Sequence, residues 1–265
     1  MKILPPGSEC QAFDYTSLGL RRCMVGCLFF GDIMKKTGWL IHYFTKTEKM
    51  LWLISAVGIV ISFFAFDRDS YITLVASLIG VTSLIFNAKG NPAGQFLMII
   101  FSVLYGFISY TFSYYGEMAT YLGMTAPMAF VALISWLRDP YKGNKSEVKV
   151  NRITKKEHVF MWIATVIVTI IFYFILDRFH TANIIPRTIS VTTSFLAVYL
   201  TFRRSPYYAI GYAANDIVLI VLWVLAALDD KSYISVVVCF TAFLANDVYG
   251  FFSWRKMEKR QAALL

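Results

Sequence analysis

Eight long apolar runs dominate this chain and restrict the folds that it can adopt. A helix needs about 20 mostly apolar residues to cross the hydrocarbon core of a bilayer. The runs of that kind are residues 50–66, 70–87, 91–112, 118–137, 159–176, 184–202, 207–228 and 233–254. Only 15% of the residues are charged, compared with about 25% in soluble domains. The sequence therefore predicts an all-α integral membrane protein with about eight transmembrane helices.

The basic residues are concentrated on one predicted side of the membrane. If the chain crosses eight times, both termini and the second, fourth and sixth loops share a side. The Lys and Arg residues that lie on the opposite side are Arg68, Arg178, Arg187 and Lys231, out of 25 in the chain. Because Lys and Arg collect in cytoplasmic loops, we expect both termini in the cytoplasm. This distribution accounts for the net charge of +9 without a nucleic-acid partner.

The order of sequence features repeats within the chain. Residues 70–137 read as a span, a basic loop with Pro92, a span, an acidic outer loop and a span that ends in Ser-Trp. Residues 184–254 follow the same order, with Pro206 in the basic loop. Matching spans are four apart, so both units cross the membrane in the same direction. Parallel three-helix repeats joined by one helix predict a SWEET-like 3+1+3 core.

This repeat divides the chain into seven predicted parts. We expect the added first span to lie outside the repeated core. The parts are a cytoplasmic N-terminal segment with an interfacial helix (1–49), an extra transmembrane helix (50–66), the first three-helix repeat (70–137), a cytoplasmic linker (138–158), a linker transmembrane helix (159–176), the second three-helix repeat (184–254) and a basic cytoplasmic tail (255–265).

Two Asn-Asp dipeptides, Asn215-Asp216 and Asn246-Asp247, lie inside apolar runs. A carboxylate at the centre of a membrane helix costs about 2.5 to 3.5 kcal/mol, so such residues usually face a bundle interior or a cavity. At a rise of 1.5 Å per residue, the two acids lie about 13.5 and 10.5 Å from the inner ends of their spans. Their similar depth predicts one composite polar site. The alternative is that these side chains only form hydrogen bonds between helices.

Other side chains at helical spacing are weaker candidates for the same site. Tyr212 and Trp223 share a helix face with Asp216, and an aromatic ring beside a carboxylate suits a flat cationic ligand. Hydroxyl side chains in membrane helices often bond their own backbone instead. The remaining candidates are Gln95, Thr125 beside Pro127, Thr192 and Thr193.

Enzymatic functions are poorly supported by the sequence. No Gly-rich loop followed by Lys-Ser or Lys-Thr is present, so the chain encodes no ATPase motor. The three His residues are scattered and lack metal-ligand spacing, and we expect neither a metal nor a cofactor. Two alternatives stay open, namely an intramembrane hydrolase that uses Asp216 and Asp247 as a dyad and a proton-coupled carrier in which either acid titrates.

Two motifs in the last spans resemble the PnuC family of nicotinamide riboside transporters. They are Ser-Pro-Tyr-Tyr-Ala-Ile-Gly-Tyr-Ala-Ala-Asn-Asp at 205–216 and Phe-Leu-Ala-Asn-Asp-Val-Tyr-Gly-Phe-Phe-Ser-Trp at 243–254. The similarity covers roughly residues 50–258. It implies a homotrimer in the cytoplasmic (inner) membrane of a bacterium. It also implies facilitated diffusion of the vitamin, which a cytosolic kinase then traps by phosphorylation. Thiamine, also an aromatic cation, is the alternative substrate.

The resemblance also implies roles for individual residues. Asn215 and Asn246 match asparagines at substrate-site positions of the family. Relatives carry a Trp-x-x-Trp pair before the first asparagine, where this chain has Tyr208 and Gly211. Stacking on the substrate would then come from Tyr208, Tyr212 or Tyr249.

Overall fold

The computed structural model describes residues 43–68, 70–111, 115–179 and 183–263. Within them, eight helices are long and apolar enough to cross a membrane, which confirms the predicted number of spans for this part of a multi-pass membrane protein. Residues 1–42, with part of the predicted interfacial helix, lie outside the described residues. The helices are α1 (Lys46–Phe66), α2 (Tyr71–Ala88), α3 (Pro92–Thr111), α4 (Tyr115–Arg138), α5 (Lys155–Arg178), α6 (Ile184–Phe202), α7 (Tyr208–Asp229) and α8 (Ile234–Ala262).

Residues 1–49 and 50–265 form two separate compact units. In the described part of the first unit, a carboxylate oxygen of Glu48 accepts a hydrogen bond from the Thr45 amide at 2.7 Å. The Thr45 hydroxyl oxygen accepts one from the Glu48 amide at 3.3 Å. These reciprocal bonds form a capping box that begins α1.

Helix α4 is irregular in its middle. Residues Tyr121–Thr125 form a π-helical turn, and the Ala126 amide donates to the carbonyl of Tyr121. Pro127 follows directly and has no amide hydrogen to continue the α-helical ladder. A wider turn at this point lets the chain accommodate the proline without ending the helix.

The segment between α4 and α5 is an ordered hairpin rather than a plain loop. Strands β1 (Pro140–Tyr141) and β2 (Asn144–Val148) pair antiparallel. Lys142 and Gly143 connect them with φ values of 49° and 79°, as a two-residue hairpin turn requires. The Val148 amide donates to the carbonyl of Gly90 at 2.9 Å, which attaches the hairpin to the turn between α2 and α3.

Helix α8 continues two turns beyond Trp254, through residues that the sequence placed in a basic tail. Gln261 in this extension is buried. Its side-chain oxygen accepts from the Val150 amide at 2.8 Å, and its Nε2 donates to the carbonyl of Val148 at 3.0 Å. The helix end is therefore held against the hairpin segment, which supplies contacts that a free tail would lack.

Six helices form a closed cycle of packing contacts. Helices α2, α3 and α4 pack in chain order, and so do α6, α7 and α8. The cycle closes because α4 packs on α6 and α8 packs on α2. Helix α5 packs on α6 outside the cycle and exposes apolar side chains that include Phe160, Trp162 and Phe174. Helix α1 is joined to α2 by a hydrogen bond from Trp52 Nε1 to Thr82 Oγ1 at 3.0 Å.

The turns after α2 and α6 share one geometry. Gly90 and Arg204 hold the left-handed position, with φ values of 66° and 57°. In each turn the next amide donates back to a helix carbonyl, that of Phe86 at 3.0 Å or that of Leu200 at 2.9 Å. A proline follows in both cases. This closing pattern satisfies carbonyls at a helix end and starts the next helix in the opposite direction.

Candidate functional site

The carboxyl groups of Asp216 in α7 and Asp247 in α8 meet inside the cycle of helices, which their similar predicted depth allows. Both residues are 3% exposed, and their side chains are within hydrogen-bonding reach of each other. We call these two residues the carboxyl pair. Two adjacent carboxylates in a buried site repel strongly. The pair therefore needs a shared proton or a neighbouring cation, and Asp216 Oδ2 has no hydrogen-bond partner among the described residues.

The carboxyl pair lies between two apolar clusters along α7 and α8. On α7, Tyr208 belongs to one cluster and Leu219 to the other. On α8, Trp254 and Phe243 divide in the same way. The apolar surroundings lower the local dielectric constant, so charge interactions at the pair are stronger than in water.

Asn246 presents an acceptor next to the pair. Its side chain is 1% exposed. Nδ2 donates to Ser55 Oγ at 2.9 Å and to the carbonyl of Ala242 at 2.7 Å. Both amide hydrogens are thus used within the protein. Oδ1 is buried without a hydrogen-bond partner in the described part of the chain, which makes it the atom of this side chain suited to a ligand donor.

In Asn215, by contrast, the side-chain oxygen is the atom that is bound within the protein. Its Oδ1 accepts hydrogen bonds from Ser190 Oγ at 2.9 Å and from Thr193 Oγ1 at 3.1 Å, both on α6. The nitrogen of the amide is then the group suited to a ligand acceptor. The two asparagines therefore offer one donor and one acceptor, a combination that complements a carboxamide.

Aromatic rings surround the same region. Tyr208 is 1% exposed, and its ring lies 5.0 Å from Trp254 and 6.1 Å from Tyr212. Tyr121 of α4 is close enough to Asp216 to interact with it electrostatically. Sequence reasoning missed Tyr121, because its neighbours in the chain contain no motif that distinguishes it from core packing.

A cavity of about 760 Å³ lies at the end of the bundle where α7 ends. Its lining includes Asp67, Asp230, Tyr105 and Trp223. The Tyr105 ring lies 4.5 Å from that of Tyr121, which links the cavity to the surroundings of the carboxyl pair. The structure thus places Trp223 at this cavity wall, not beside Asp216.

Several weaker candidates have other partners. Gln95 Nε2 donates to Asn87 Oδ1 at 2.8 Å, which ties α3 to α2. The Thr125 hydroxyl donates to the carbonyl of Thr120 in its own helix at 3.3 Å. Tyr249 is half-buried.

Thr192 is directed to α5, away from Asn215. Its hydroxyl donates to the carbonyl of Thr188 at 2.8 Å and lies 2.9 Å from the hydroxyl of Thr169 in α5. The hydroxyls that reach Asn215 come from Ser190 and Thr193 instead. Successive residues of a helix point about 100° apart, so Thr192 faces a different direction from Thr193. The structure therefore gives no support to Thr192 as a site residue.

Metal binding receives no support in the described ranges, where no three His, Cys, Asp or Glu side chains cluster.

Comparisons with known proteins point to a transporter family. The model of a family described as "Nicotinamide mononucleotide transporter" matches residues 70–256. A curated nicotinamide riboside transporter PnuC of Neisseria mucosa is 28% identical over 88% of this chain and 90% of the relative. The corresponding Haemophilus influenzae protein is 23% identical over 81% and 92%. A crystal structure of the vitamin B3 transporter PnuC covers 82% of this chain and 94% of its own, with 25% identity and a TM-score of 0.72.

Proposed function

This chain belongs to the nicotinamide mononucleotide transporter family, and we propose that it carries nicotinamide riboside across the membrane. The carboxyl pair is the observation that carries the proposal. Nicotinamide riboside contains a flat pyridinium cation, a carboxamide and a ribose. A buried pair of acids stabilises a cation, and the neighbouring tyrosine rings favour it further through cation–π contact.

The two asparagines support the same substrate. A carboxamide has one acceptor oxygen and an NH2 donor, and the ribose adds hydroxyls that can do either. Asn215 has its nitrogen available for an acceptor, and Asn246 has its oxygen available for a donor. We therefore assign Asn215, Asp216, Asn246 and Asp247 to the substrate site, with Tyr208, Tyr212 and Tyr121 around it.

The charge of the site favours the riboside over the mononucleotide. The buried charged residues among those described are Glu48, Glu117, Asp216, Asp247 and Glu258, and none is a Lys or Arg. A phosphate next to the carboxyl pair would meet like charge in a low-dielectric environment. For the same reason, a riboside that is phosphorylated after entry cannot return through this site. That asymmetry supports facilitated diffusion followed by trapping inside the cell.

The contacts between helices support a 3+1+3 architecture. Trp136 Nε1, in the last turn of α4, donates to the carbonyl of Thr201 near the end of α6 at 2.9 Å. Trp254 Nε1 in α8 donates to the carbonyl of Asn87 near the end of α2 at 2.7 Å. In each case the third helix of one unit binds the first helix of the other. We infer two parallel repeats, α2–α4 and α6–α8, that move relative to each other during transport, with α5 as the linker and α1 as an addition.

The remaining assignments concern the cellular context. The positive charges at the hairpin end of the bundle favour a cytoplasmic location for that end and for both termini. A bacterial inner membrane is the corresponding compartment. The exposed apolar side chains of α5 are compatible with lipid or with subunit contacts in a homotrimer.

Uptake into proteoliposomes tests the proposal. Purified protein should accumulate labelled nicotinamide riboside until the inner and outer concentrations are equal, with and without an imposed proton gradient. Unlabelled nicotinamide riboside should compete, whereas nicotinamide mononucleotide and thiamine should compete at least tenfold more weakly. Strong competition by thiamine would shift the substrate assignment to that vitamin, and accumulation driven by the gradient would indicate proton coupling.

A further inference from the structure

Helix α1 contacts the candidate site although it lies outside residues 70–256, which match the family model. The contact is the hydrogen bond from Asn246 Nδ2 to Ser55 Oγ at 2.9 Å, between residues that are 1% and 5% exposed. It joins positions that are 191 residues apart in the sequence.

The Ser55 hydroxyl affects which atom of Asn246 is available to a ligand. One amide hydrogen of Asn246 is bound by the Ala242 carbonyl in the preceding turn at 2.7 Å. The second would be free to turn toward a ligand if no acceptor held it. Ser55 supplies that acceptor, and Oδ1 is left as a buried oxygen without a partner in the described residues. A buried acceptor without a donor destabilises the empty site, so a ligand that donates to it offsets that cost.

We propose that Ser55 is a positioning residue for transport: it orients the Asn246 carboxamide so that the site presents an acceptor, and thereby selects a substrate with a hydrogen-bond donor at that point. This inference rests on the proposed function for the identity of the substrate, although the orientation of Asn246 does not depend on it. The donor is the carboxamide NH2 or a ribose hydroxyl of nicotinamide riboside.

Ser62 offers a matched control on the same helix face, two turns from Ser55. It is equally buried, at 5% exposure. Its hydroxyl donates to the carbonyl of Ile59 in its own helix at 2.9 Å. Replacing either serine by alanine removes one hydroxyl from α1, but only Ser55→Ala removes a partner of Asn246.

Affinity for nicotinamide riboside gives the first readout, measured on monodisperse protein in detergent. Ser55→Ala should weaken binding about 2- to 12-fold, which corresponds to the loss of one hydrogen bond. Ser55→Thr keeps a hydroxyl and should bind like the wild type. Ser62→Ala should bind within about twofold of wild type. In an Asn246→Ala background, Ser55→Ala should have no further effect, because the group that it orients is gone.

The second readout needs no substrate. In protein labelled with 15N-asparagine, the side-chain NH2 of Asn246 should exchange with solvent faster and shift its resonance in Ser55→Ala but not in Ser62→Ala. If Ser55→Ala leaves that signal unchanged, or weakens binding equally in the Asn246→Ala background, the inference is wrong. If the signal changes as expected but wild-type protein does not bind nicotinamide riboside, the orientation is supported and the proposed substrate is refuted.

Discussion

Arg187 of α6 donates a hydrogen bond from Nη1 to Glu117 Oε1 of α4 at 2.6 Å, and the two side chains are 13% and 8% exposed. The bond joins the two three-helix units near the end of the bundle where α4 and α6 begin. Thr73 of α2 and Ser235 of α8 hold comparable positions in the other contact between the units. Near that second contact lies the cavity of about 760 Å³. The cavity is therefore on the side of the bundle without this ion pair.

Breaking the ion pair between Arg187 and Glu117 should destabilise the protein strongly. Glu117→Gln or Arg187→Gln alone breaks this largely buried ion pair, and removing one partner of such a pair costs about 3 to 5 kcal/mol. The double replacement should cost less than the two single changes together, because neither charge is left without its partner. Thermal unfolding of the three variants in detergent measures this difference. Additive losses would show that the two side chains do not interact.

The hydrogen bonds that Trp136 and Trp254 form between the two three-helix units should contribute similarly to the free energy of unfolding. Trp136→Phe and Trp254→Phe each remove one hydrogen bond to a buried main-chain carbonyl, at a cost of about 0.5 to 1.5 kcal/mol. The carbonyls of Thr201 and Asn87 keep the amides of Arg204 and Gly90 as donors. Trp162→Phe is the control, because this residue is 54% exposed on α5. Midpoints of thermal unfolding should fall for the first two variants and stay near wild type for the third. A large drop for only one buried tryptophan would argue against equivalent contacts.

Removing one acid should distinguish charged from neutral ligands. Asp216→Asn should weaken binding of nicotinamide riboside at least about tenfold, or about 1.4 kcal/mol, because a charge interaction in a low-dielectric environment is lost. The dihydropyridine form of the same riboside is neutral and should lose much less. Calorimetric titration with both ligands measures the ratio, and equal losses would exclude a direct contact between Asp216 and the cation.

The hydroxyls of α6 should differ in their effect on binding. Asn215→Leu removes a ligand partner and should cost about 5- to 150-fold in affinity. Ser190→Ala should cost about 2- to 12-fold, because it loosens Asn215. Thr192→Val should leave affinity near that of wild type, since its hydroxyl contacts Thr169 of α5. A loss in Thr192→Val comparable to that in Ser190→Ala would return Thr192 to the site.

The orientation in the membrane can be tested by cysteine labelling. Lys145 lies in β2 of the hairpin and Lys231 in the turn before α8, and both are exposed. In a background without other cysteines, an impermeant reagent applied outside intact cells should label Lys231→Cys and spare Lys145→Cys. Permeabilised cells provide the control, in which both should react. Labelling of both sites in intact cells would contradict cytoplasmic termini.

The helices and the depth of the acids could be predicted because both depend on distance along the chain. An apolar run of about 20 residues has one low-energy arrangement in a bilayer. Helix α6 begins and ends at the predicted residues, Ile184 and Phe202, although it contains Pro186 and several hydroxyl residues. A constant helical rise likewise placed Asp216 and Asp247 at similar depth before any packing was known.

Which hydroxyls serve the site depended on helix rotation and on contacts between distant segments. Ser190, Thr192 and Thr193 lie within one turn of α6, and small changes in its rotation decide which of them faces α7 or α5. The π-helical turn before Pro127 likewise sets the direction of Tyr121, one of the rings near Asp216.

The sequence by itself determined the class of protein, the spans and the residues able to hold charge in the membrane, because these follow from hydropathy and helical rise. Only the tertiary structure decided the polarity of the site. Whether Asn246 donates or accepts depends on Ser55, 191 residues away, and no local pattern encodes a hydrogen bond between helices so far apart in the chain. Packing of α1 against the bundle provides that acceptor, and the free oxygen of Asn246 is its consequence.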